Sequence, residues 1–348
     1  MQNDLGVHTY QEIISQGEVW KATLQGFETQ FQAARELFRL PFDEVIFTGC
    51  GSTYYLSLAA AATWQALTGI RARGVPASEL WLFPQSILTS RRTLLVAVSR
   101  SGETSETLRA LDVFRQMNGH DILAVTVYPD RALAQRAPHV LVTKCAEEES
   151  VAQTRSFSSM FLLTQAAACG AAGNAEAWSA LSTVPQYFEP LLSRYESLSQ
   201  SLAKDRNLER FVFLGSGANY GLACEAMLKM KEMSLSSSEA FHFMEFRHGP
   251  KSVVAPGTLL VGLLSDTAYS EEIKVLQEMR NLGATVLALV DKDQNTPADF
   301  VVEVNSGVAE LQRGALYLPV LQLLAYYRAC ERGLNPDRPT NLDAVVRL

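Results

Sequence analysis

Short apolar runs alternate with longer amphipathic stretches through most of the chain. In the first half these runs are rich in β-branched residues and lie at Glu44–Thr48, Leu94–Val98, Ile122–Tyr128 and Val140–Thr143. Runs of this length and composition are typical of β-strands. The stretches between them are long enough for helices, and one helix is predicted from about Tyr55 to Leu67. The pattern therefore predicts alternating strands and helices, which build a parallel sheet.

The second half of the chain repeats the first half. Phe42 opens the sequence FDEVIFTGCGSTYY and Leu208 opens LERFVFLGSGANYG, and each is an apolar run that ends in a Gly-x-Gly turn. Leu94 opens LLVAVSRSGETSET and Leu260 opens LVGLLSDTAYSEEI, so both matches share an offset of 166 residues. A period this long indicates two copies of one α/β unit, because solenoid repeats are far shorter.

These patterns predict two tandem flavodoxin-like subdomains, each a three-layer α/β/α arrangement around a parallel sheet. A helical segment precedes them, because Ile13, Trp20 and Leu24 fit one apolar stripe. A helical linker that is interrupted by Pro185 and Pro190 joins the two copies. The predicted helical segment, first domain, linker and second domain span residues 1–40, 41–172, 173–206 and 207–348.

Composition and charge narrow the classes of function. The chain has 348 residues, of which 47% are hydrophobic and 19% charged, as in ordinary globular proteins. Its net charge of −7 argues against a general binder of nucleic acid or of anionic membranes. The five cysteines are widely spaced and form no zinc pattern, and no signal peptide or membrane-length apolar run is evident. We therefore expect a cytoplasmic protein without metal, nucleic-acid or membrane partners.

The Gly-x-Gly turn of the first copy is a candidate for binding an anion. It reads GCGST and includes Ser52 and Thr53 at the predicted start of a helix. Free backbone amides and the helix dipole favour a negative group at such a place. A plain connection between strand and helix would have the same sequence, so this turn alone is weak support for a ligand.

A second turn, Ser99–Thr104, is a stronger candidate. It places Ser99, Arg100, Ser101 and Thr104 between an apolar strand and a helix. The simpler interpretation is a well-capped helix, but one cap needs one hydroxyl and this turn offers three. Several hydroxyls and free amides at a helix start suit a phosphate, which accepts many hydrogen bonds.

Three charged residues of the second copy share one predicted helical face. Glu225, Lys229 and Glu232 are spaced at i, i+4 and i+7 in the sequence CEAMLKMKEM. A solvated charged stripe would show the same spacing. The residues around them are largely apolar, however, which predicts a buried helix: Ala223, Ala226, Met227, Leu228 and Met230. Buried charges are costly and therefore need a reason, so this face is a candidate catalytic surface.

Several ordered motifs resemble the sugar isomerase (SIS) family. SRSGETSET resembles its phosphate loop, GCGST its first turn, and EESVAQTRSF the segment that closes the sugar site. LGSGANYGLACEAMLKMKEMS and EFRHGPKSVV are similar to the isomerase domain of glucosamine-6-phosphate synthases and to the ketose/aldose-phosphate isomerase and deaminase branch. The resemblance covers roughly residues 40–348, and a tandem pair of SIS domains agrees with the internal repeat.

The resemblance implies roles for individual residues. Glu232 matches the carboxylate base, and Glu225 and Lys229 match residues that line the same site. His248, in the RHGPK turn, matches the histidine that assists ring opening. The resemblance also implies a homodimer in which this histidine reaches the neighbour's site. Besides the residues of the Ser99–Thr104 turn, the resemblance implies that three positions bind the substrate: Thr53, Val151 and Gln153. Arg247 and Lys251 could hold an anion or be surface cations.

The predicted activity is aldose–ketose proton transfer on an amino-sugar 6-phosphate, with cleavage of the C–N bond and with no metal or other cofactor. The chain begins Met1-Gln2 with no N-terminal cysteine nucleophile, so we expect no glutamine hydrolysis. Ala344 stands where the resemblance would place an imine-forming lysine, which favours a substrate that already carries its nitrogen. The alternatives are a deglycase of the fructosamine-6-phosphate type and a non-catalytic regulator that binds a phosphosugar.

Overall fold

The computed structural model of the protein describes residues 5–117, 119, 121–346 and 348. They divide into two compact units, each of which carries one of the two sequence repeats. The N-terminal unit consists of Glu18–Glu148, Gln153–Pro185 and the segment that starts at Asp343. The C-terminal unit consists of the segment that ends at Gly17, Glu149–Ala152 and Gln186–Leu342. No helix among the described residues is both long and apolar enough to cross a bilayer.

Each unit contains one five-stranded parallel sheet. The strands of the N-terminal unit, in chain order, are β1 (Glu44–Gly49), β2 (Arg71–Pro76), β3 (Thr93–Ser99), β4 (Ile122–Thr126) and β5 (His139–Val142). Those of the C-terminal unit are β6 (Arg210–Gly215), β7 (Ser237–His242), β8 (Thr258–Leu263), β9 (Thr285–Val290) and β10 (Phe300–Glu303). The orders are β2-β1-β3-β4-β5 and β7-β6-β8-β9-β10, which is the flavodoxin order twice.

Helices connect the strands and cover the sheets. In the first half of the chain they are α1 (Val7–Ile14), α2 (Gln16–Phe38), α3 (Ser52–Thr68), α4 (Ala77–Leu82), α5 (Pro84–Ile87), α6 (Ser105–Met117), α7 (Ala132–Arg136) and α8 (Arg155–Ala172). In the second half they are α9 (Ala175–Thr183), α10 (Phe188–Lys204), α11 (Ala218–Ser234), α12 (Phe243–Phe246), α13 (Tyr269–Asn281), α14 (Glu310–Arg313) and α15 (Leu318–Glu331).

The sheet of the N-terminal unit lies between two helical layers. On one face, alternate strand residues such as Ile46 and Leu95 pack with Leu80 of α4 and with Phe114 of α6. On the other face, α3 packs along β1 and against α8. Because both faces are covered, all six residues of β1 are buried, which explains its continuous apolar pattern.

The C-terminal unit repeats this arrangement. Val212 and Leu260 of the sheet pack with Phe243 of α12 and with Leu276 of α13. The helices α11 and α15 contact each other, and α11 packs along β6. The predicted fold of two three-layer α/β/α subdomains with parallel sheets is confirmed.

The predicted strands of the first repeat lie within a few residues of the observed ones, but the hydropathy pattern gave no signal for two strands. β2 has the sequence RARGVP and β7 has SSEAFH, and both contain few apolar residues. Each lies at the edge of its sheet, where one long side has no neighbouring strand and several side chains face solvent. The linker is interrupted at Pro185, in the 3₁₀ turn Val184–Tyr187, whereas Pro190 lies in the first turn of α10. The predicted domain boundaries stay a prediction.

Candidate functional site

The two Gly-x-Gly turns have the same backbone conformation. Gly51 precedes α3 with φ of 55°, and Gly217 precedes α11 with φ of 55°, in the left-handed region that favours glycine. The first glycine of each turn is required for a different reason. A Cβ atom on Gly49 would come within 2.5 Å of Thr53 Oγ1, and one on Gly215 within 2.4 Å of the Asn219 carbonyl oxygen. These glycines allow each strand to turn directly into the helix that follows.

The hydroxyl of Thr53 closes the first of these turns. Thr53 Oγ1 accepts a hydrogen bond from the Cys50 amide at 2.9 Å and donates one to the Cys50 carbonyl at 2.9 Å. Ser52 and Thr53 are both buried. Cys50 lies between the two glycines, and its Sγ atom is 3.6 Å from Thr107 Oγ1. Burial raises the pKa of its thiol to about 11, so the group stays protonated at neutral pH.

The turn Ser99–Thr104 gathers its three hydroxyl groups into one cluster. The Oγ atoms of Ser99 and Ser101 lie 3.3 and 3.4 Å from Thr104 Oγ1. Ser99 Oγ accepts the Gly102 amide at 3.1 Å, and Ser101 Oγ accepts the Glu103 amide at 3.2 Å. The turn stands at the carboxyl end of β3 and immediately before α6. Hydroxyls grouped at the start of a helix form a suitable receptor for a phosphate.

Arg100 lies in this turn but its guanidinium meets a carboxylate. Arg100 Nη1 donates to Glu148 Oε2 at 3.0 Å, and both side chains are buried. The backbone carbonyl of Arg100 accepts a hydrogen bond from Thr126 Oγ1 at 3.3 Å. The structure therefore shows Arg100 as one member of a buried ion pair.

The two positions from the EESVAQTRSF segment fall in different units. The Val151 amide donates to the Asp337 carbonyl at 2.9 Å within the C-terminal unit. Gln153 belongs to the N-terminal unit, and its buried Oε1 atom has no hydrogen-bond partner among the described residues. An unsatisfied buried acceptor costs about 1–3 kcal/mol, so this atom has the capacity for a further hydrogen bond.

The charged face of α11 is buried, as its apolar flanks predicted. Lys229 is 0% exposed, and its Nζ atom lies 3.4 Å from Glu225 Oε1 and 2.6 Å from Glu232 Oε2. Glu225 is also 0% exposed, whereas 18% of the Glu232 side chain is exposed. One ammonium group thus lies between two carboxylates, of which only Glu232 reaches solvent. This arrangement differs from a solvated charged stripe.

His248 lies on an exposed turn that two ion pairs hold in place. Arg247 Nε lies 2.8 Å from Glu278 Oε2, and Lys251 Nζ lies 2.5 Å from Glu278 Oε1. The hydrogen bond from Lys251 and the nearby Arg247 charge lower the pKa of Glu278. Arg247 and Lys251 are therefore surface cations with a structural contact. The imidazole of His248 is exposed, and within the described ranges it makes no hydrogen bond or ion pair.

The turn of the second repeat that corresponds to Ser99–Thr104 is Ser265–Ser270, and a carboxylate of the chain occupies its hydrogen-bond donors. Glu310 Oε2 accepts the amides of Asp266 and Thr267 at 2.6 and 3.0 Å, and Glu310 Oε1 accepts Thr267 Oγ1 at 3.0 Å. Beside it, Glu272 accepts the Ser265 amide at 2.8 Å, and burial raises the pKa of Glu272. Two backbone amides and a hydroxyl thus bind a carboxylate of the chain itself. The two copies of the turn therefore differ, because in the second an internal anion occupies the donors.

The predicted site residues form two groups, one in each unit. Ser52, Thr53, Gln153 and the Ser99–Thr104 turn belong to the N-terminal unit, where they lie at or near the carboxyl end of the sheet or the start of α8. The C-terminal unit contains the remaining predicted residues: Val151, Glu225, Lys229, Glu232 and His248. Among residues 5–117, 119, 121–346 and 348, no group of three or more His, Cys, Asp or Glu side chains could hold a metal ion.

Comparisons with known sequences agree with the fold. The SIS domain family matches residues 42–169 and again residues 206–330. Glutamine–fructose-6-phosphate aminotransferase (isomerizing) from Methanothermobacter thermautotrophicus is 29% identical over 309 residues, which cover 87% of this chain and 51% of the relative. The enzyme of the same name from Pyrobaculum aerophilum is 30% identical over 347 residues, which cover 96% of this chain and 56% of that relative. The chain spans about half the length of the curated relatives it matches.

Solved structures match over nearly the whole chain. A glucosamine-6-phosphate deaminase from Thermotoga maritima is 31% identical, with a TM-score of 0.78 and coverage of 98% of this chain and 100% of that one. A tagatose-6-phosphate ketose/aldose isomerase from Escherichia coli has a TM-score of 0.86 at 23% identity, with 94% of each chain covered, and shows the shared fold. The two matched segments, the tandem parallel sheets and these relatives together establish that the chain belongs to the SIS domain family.

Proposed function

We propose that the protein is a phosphosugar isomerase that acts on an amino-sugar 6-phosphate and releases the nitrogen substituent. The proposed reaction moves a proton between C2 and C1 of the open-chain sugar. The resulting imine at C2 then takes up water and loses ammonia, or an amine if the nitrogen is substituted. The products are a ketose 6-phosphate and the free amine.

The observation that carries this proposal is the buried charge group on α11. Lys229 holds one oxygen of Glu232 at 2.6 Å, and Glu232 is the member of the group that reaches solvent. No second hydrogen bond to the Glu232 carboxylate is present among the described residues. A fixed carboxylate with an accessible oxygen is suited to general-base catalysis. A protein that only binds a phosphosugar has no need for such a base.

The relatives support the choice of substrate class. The T. maritima relative, which aligns with nearly the whole chain, is described as a glucosamine-6-phosphate deaminase. The curated relatives are named for an isomerising aminotransferase that uses fructose 6-phosphate. Ala344 cannot form an imine with a sugar, so the nitrogen is expected to arrive with the substrate. Deamination of an amino-sugar phosphate agrees both with these relatives and with a nitrogen that arrives on the substrate.

Each group of residues has a separate role in this scheme. The Ser99–Thr104 turn binds the phosphate, whose remote binding energy positions the carbon chain. Glu232 takes the proton from C2 and returns it to C1. Lys229 orients the Glu232 carboxylate through its 2.6 Å hydrogen bond. His248 assists opening of the sugar ring, because an imidazole exchanges protons near neutral pH.

The reaction can be tested with a panel of hexosamine, fructosamine and hexose 6-phosphates. We expect released ammonia or amine, together with incorporation of solvent deuterium at C1 of the ketose product. Release of an amino acid from a fructosamine adduct would favour the deglycase alternative. Binding without deuterium incorporation into any sugar would favour the regulator and would overturn the enzymatic proposal.

We also propose a homodimer in which His248 serves the neighbour's site. The exposed imidazole, on a turn held by Arg247 and Lys251, is suited to such a contact. Light scattering is expected to show a dimer at working concentration. Equal amounts of a His248→Ala chain and a Glu232→Gln chain, mixed under conditions that allow exchange, should regain part of the activity. A fully active monomer would contradict the dimer.

Removing two hydroxyls of the Ser99–Thr104 turn should weaken phosphosugar binding. A Ser101→Ala, Thr104→Ala double variant loses two potential donors to the phosphate. Because a hydrogen bond to a charged group is worth roughly 1.5–3 kcal/mol, we expect affinity to fall by at least about tenfold. Calorimetry with glucosamine 6-phosphate and fructose 6-phosphate measures this change directly. Unchanged affinity would remove the turn from the site.

The second repeat supplies a matched control for this experiment. Thr267 and Ser270 occupy the equivalent positions, at an offset of 166 from Ser101 and Thr104. Since Glu310 already occupies the amides of that turn, a Thr267→Ala, Ser270→Ala variant should bind phosphosugar as the wild type does. For the same reason calorimetry should give one phosphosugar per chain. Two equivalent sites per chain would contradict this assignment.

A further inference from the structure

Arg100 of the Ser99–Thr104 turn is one member of a buried ion pair. Arg100 Nη1 and Glu148 Oε2 are 3.0 Å apart, and their side chains are 9% and 0% exposed. Removing two charges from water is costly, so a buried pair persists only where geometry and further hydrogen bonds compensate. The Arg100 charge either contacts a bound phosphate or serves another purpose in this turn.

Glu148 connects Arg100 to the start of α8. Its Oε1 atom accepts the amides of Thr154 and Ser156 at 2.7 and 2.9 Å and the Thr154 hydroxyl at 3.0 Å. Its Oε2 atom accepts the Ser156 hydroxyl as well as Arg100. The Glu148 carboxylate therefore joins the Ser99–Thr104 turn to the backbone that follows Gln153. All of these residues belong to the N-terminal unit.

The corresponding turn of the second repeat also forms an ion pair, with the charges reversed and with its acid, Asp266, 59% exposed. At an offset of 166 from Arg100 the chain has Asp266, which pairs with Arg313 through two hydrogen bonds of 2.5 and 2.6 Å. Arg313 is 2% exposed and precedes α15, just as Glu148 precedes α8. In that repeat the residue in the turn is an acid, which cannot serve as a phosphate ligand. The ion pair is therefore present whether or not the turn offers a cation.

We propose that Arg100 is a positioning residue that acts through Glu148 and does not bind the phosphate through its guanidinium. The Arg100–Glu148 pair fixes the Ser99–Thr104 turn against the start of α8, so that the hydroxyl cluster and Gln153 are held in place before a phosphosugar arrives. This inference rests on the proposed function, because it gives a role in binding to a pair outside the reacting groups.

The variant Glu148→Gln distinguishes positioning from direct binding. It leaves the Arg100 cation in place but removes its charged partner. If Arg100 bound the phosphate, loss of the competing carboxylate would preserve or tighten binding. If the pair positions the turn, Glu148→Gln should weaken binding as much as Arg100→Gln does. The two interpretations therefore predict opposite changes for one variant.

The test is a double-mutant cycle read by calorimetry with fructose 6-phosphate and with inorganic phosphate. We expect Arg100→Gln and Glu148→Gln each to lower fructose 6-phosphate affinity about tenfold, the size of one charged hydrogen bond. Because both changes remove the same contact, the double variant should bind no more weakly than either single one. Arg100→Lys should recover part of the affinity, since it restores a cation beside Glu148. Wild-type or tighter binding by Glu148→Gln, or additive losses in the double variant, would overturn the proposal.

A second ion pair of the same unit provides the control. Arg92 Nε lies 3.2 Å from Asp121 Oδ2, and this pair is more exposed than the Arg100–Glu148 pair. Arg92→Gln and Asp121→Asn should leave binding unchanged. If Arg100→Gln does not fold, as judged by circular dichroism, Arg100→Lys and Glu148→Asp replace it in the cycle, and equal affinity losses in both are then required. Since the readout is binding, a wild-type protein that binds fructose 6-phosphate but turns over no amino sugar would refute the proposed function and leave this test valid.

Discussion

Glu232→Gln should abolish nearly all turnover while phosphosugar binding survives. The glutamine has the same shape and can still meet Lys229, but it cannot accept the C2 proton. Removing a positioned acid or base costs roughly 10²–10⁴ in rate, so kcat should fall by that factor. KM should change little, because the phosphate is bound through the separate Ser99–Thr104 turn. Steady-state assays of amine release, with calorimetry on the same samples, measure both quantities.

Glu209→Gln is a suitable control for this variant. Glu209 is an exposed glutamate of the same unit, next to the start of β6, so the substitution repeats the chemical change away from the α11 face. It should keep wild-type kcat. Solvent-deuterium incorporation into fructose 6-phosphate gives a second reading, since it follows proton transfer without C–N cleavage. Full deuterium exchange by Glu232→Gln would assign the proton transfer to another residue.

Lys229→Met should destabilise the protein strongly, whatever its effect on turnover. The methionine fills a similar volume but leaves Glu225 as a carboxylate with 0% exposure beside an apolar side chain. Breaking a buried ion pair by removing one partner costs about 3–5 kcal/mol, because the remaining charge stays desolvated. Urea unfolding should therefore show a loss of that size in the free energy of unfolding. The loss should shrink as the pH is lowered, since protonation removes the stranded charge.

Two further variants test this explanation. Glu225→Gln combined with Lys229→Met removes both members of the buried pair and should recover most of the lost stability. Lys251→Met breaks the half-exposed pair with Glu278 and should cost less than about 1 kcal/mol. If Lys229→Met were as mild as Lys251→Met, the α11 charges would be far better solvated than their burial indicates.

Much of the fold follows from short-range patterns in the sequence. The apolar runs of β1, β3 and β4 are continuous because helices cover both faces of the sheet. The repeated Gly-x-Gly turns need glycine for a left-handed backbone and for close contact with the following helix, and these requirements are local. The edge strands β2 and β7 escaped this reasoning because their side chains are partly solvated and carry little apolar pattern.

In the candidate site, too, the features that depend on residues close in sequence were predicted. The spacing of Glu225, Lys229 and Glu232 places them on one helical face, and their apolar neighbours predicted burial, both of which depend only on residues within a few turns of each other. The three hydroxyls of the Ser99–Thr104 turn likewise cluster because they are close in sequence.

Contacts between distant residues were decided by the tertiary structure alone. Arg100 and Glu148 are separated by α6, β4, α7 and β5, and no local pattern indicates that the guanidinium turns towards that carboxylate. In the same way Glu310 reaches the Ser265–Ser270 turn, and Glu278 receives both Arg247 and Lys251. The sequence by itself determined the repeat, the apolar strands and the chemistry available in each turn. The tertiary structure decided which charged partner each turn received. The crossover connections of the parallel sheet bring distant segments to its carboxyl end, and a side chain pairs with the charge that the folded chain places within a few ångströms.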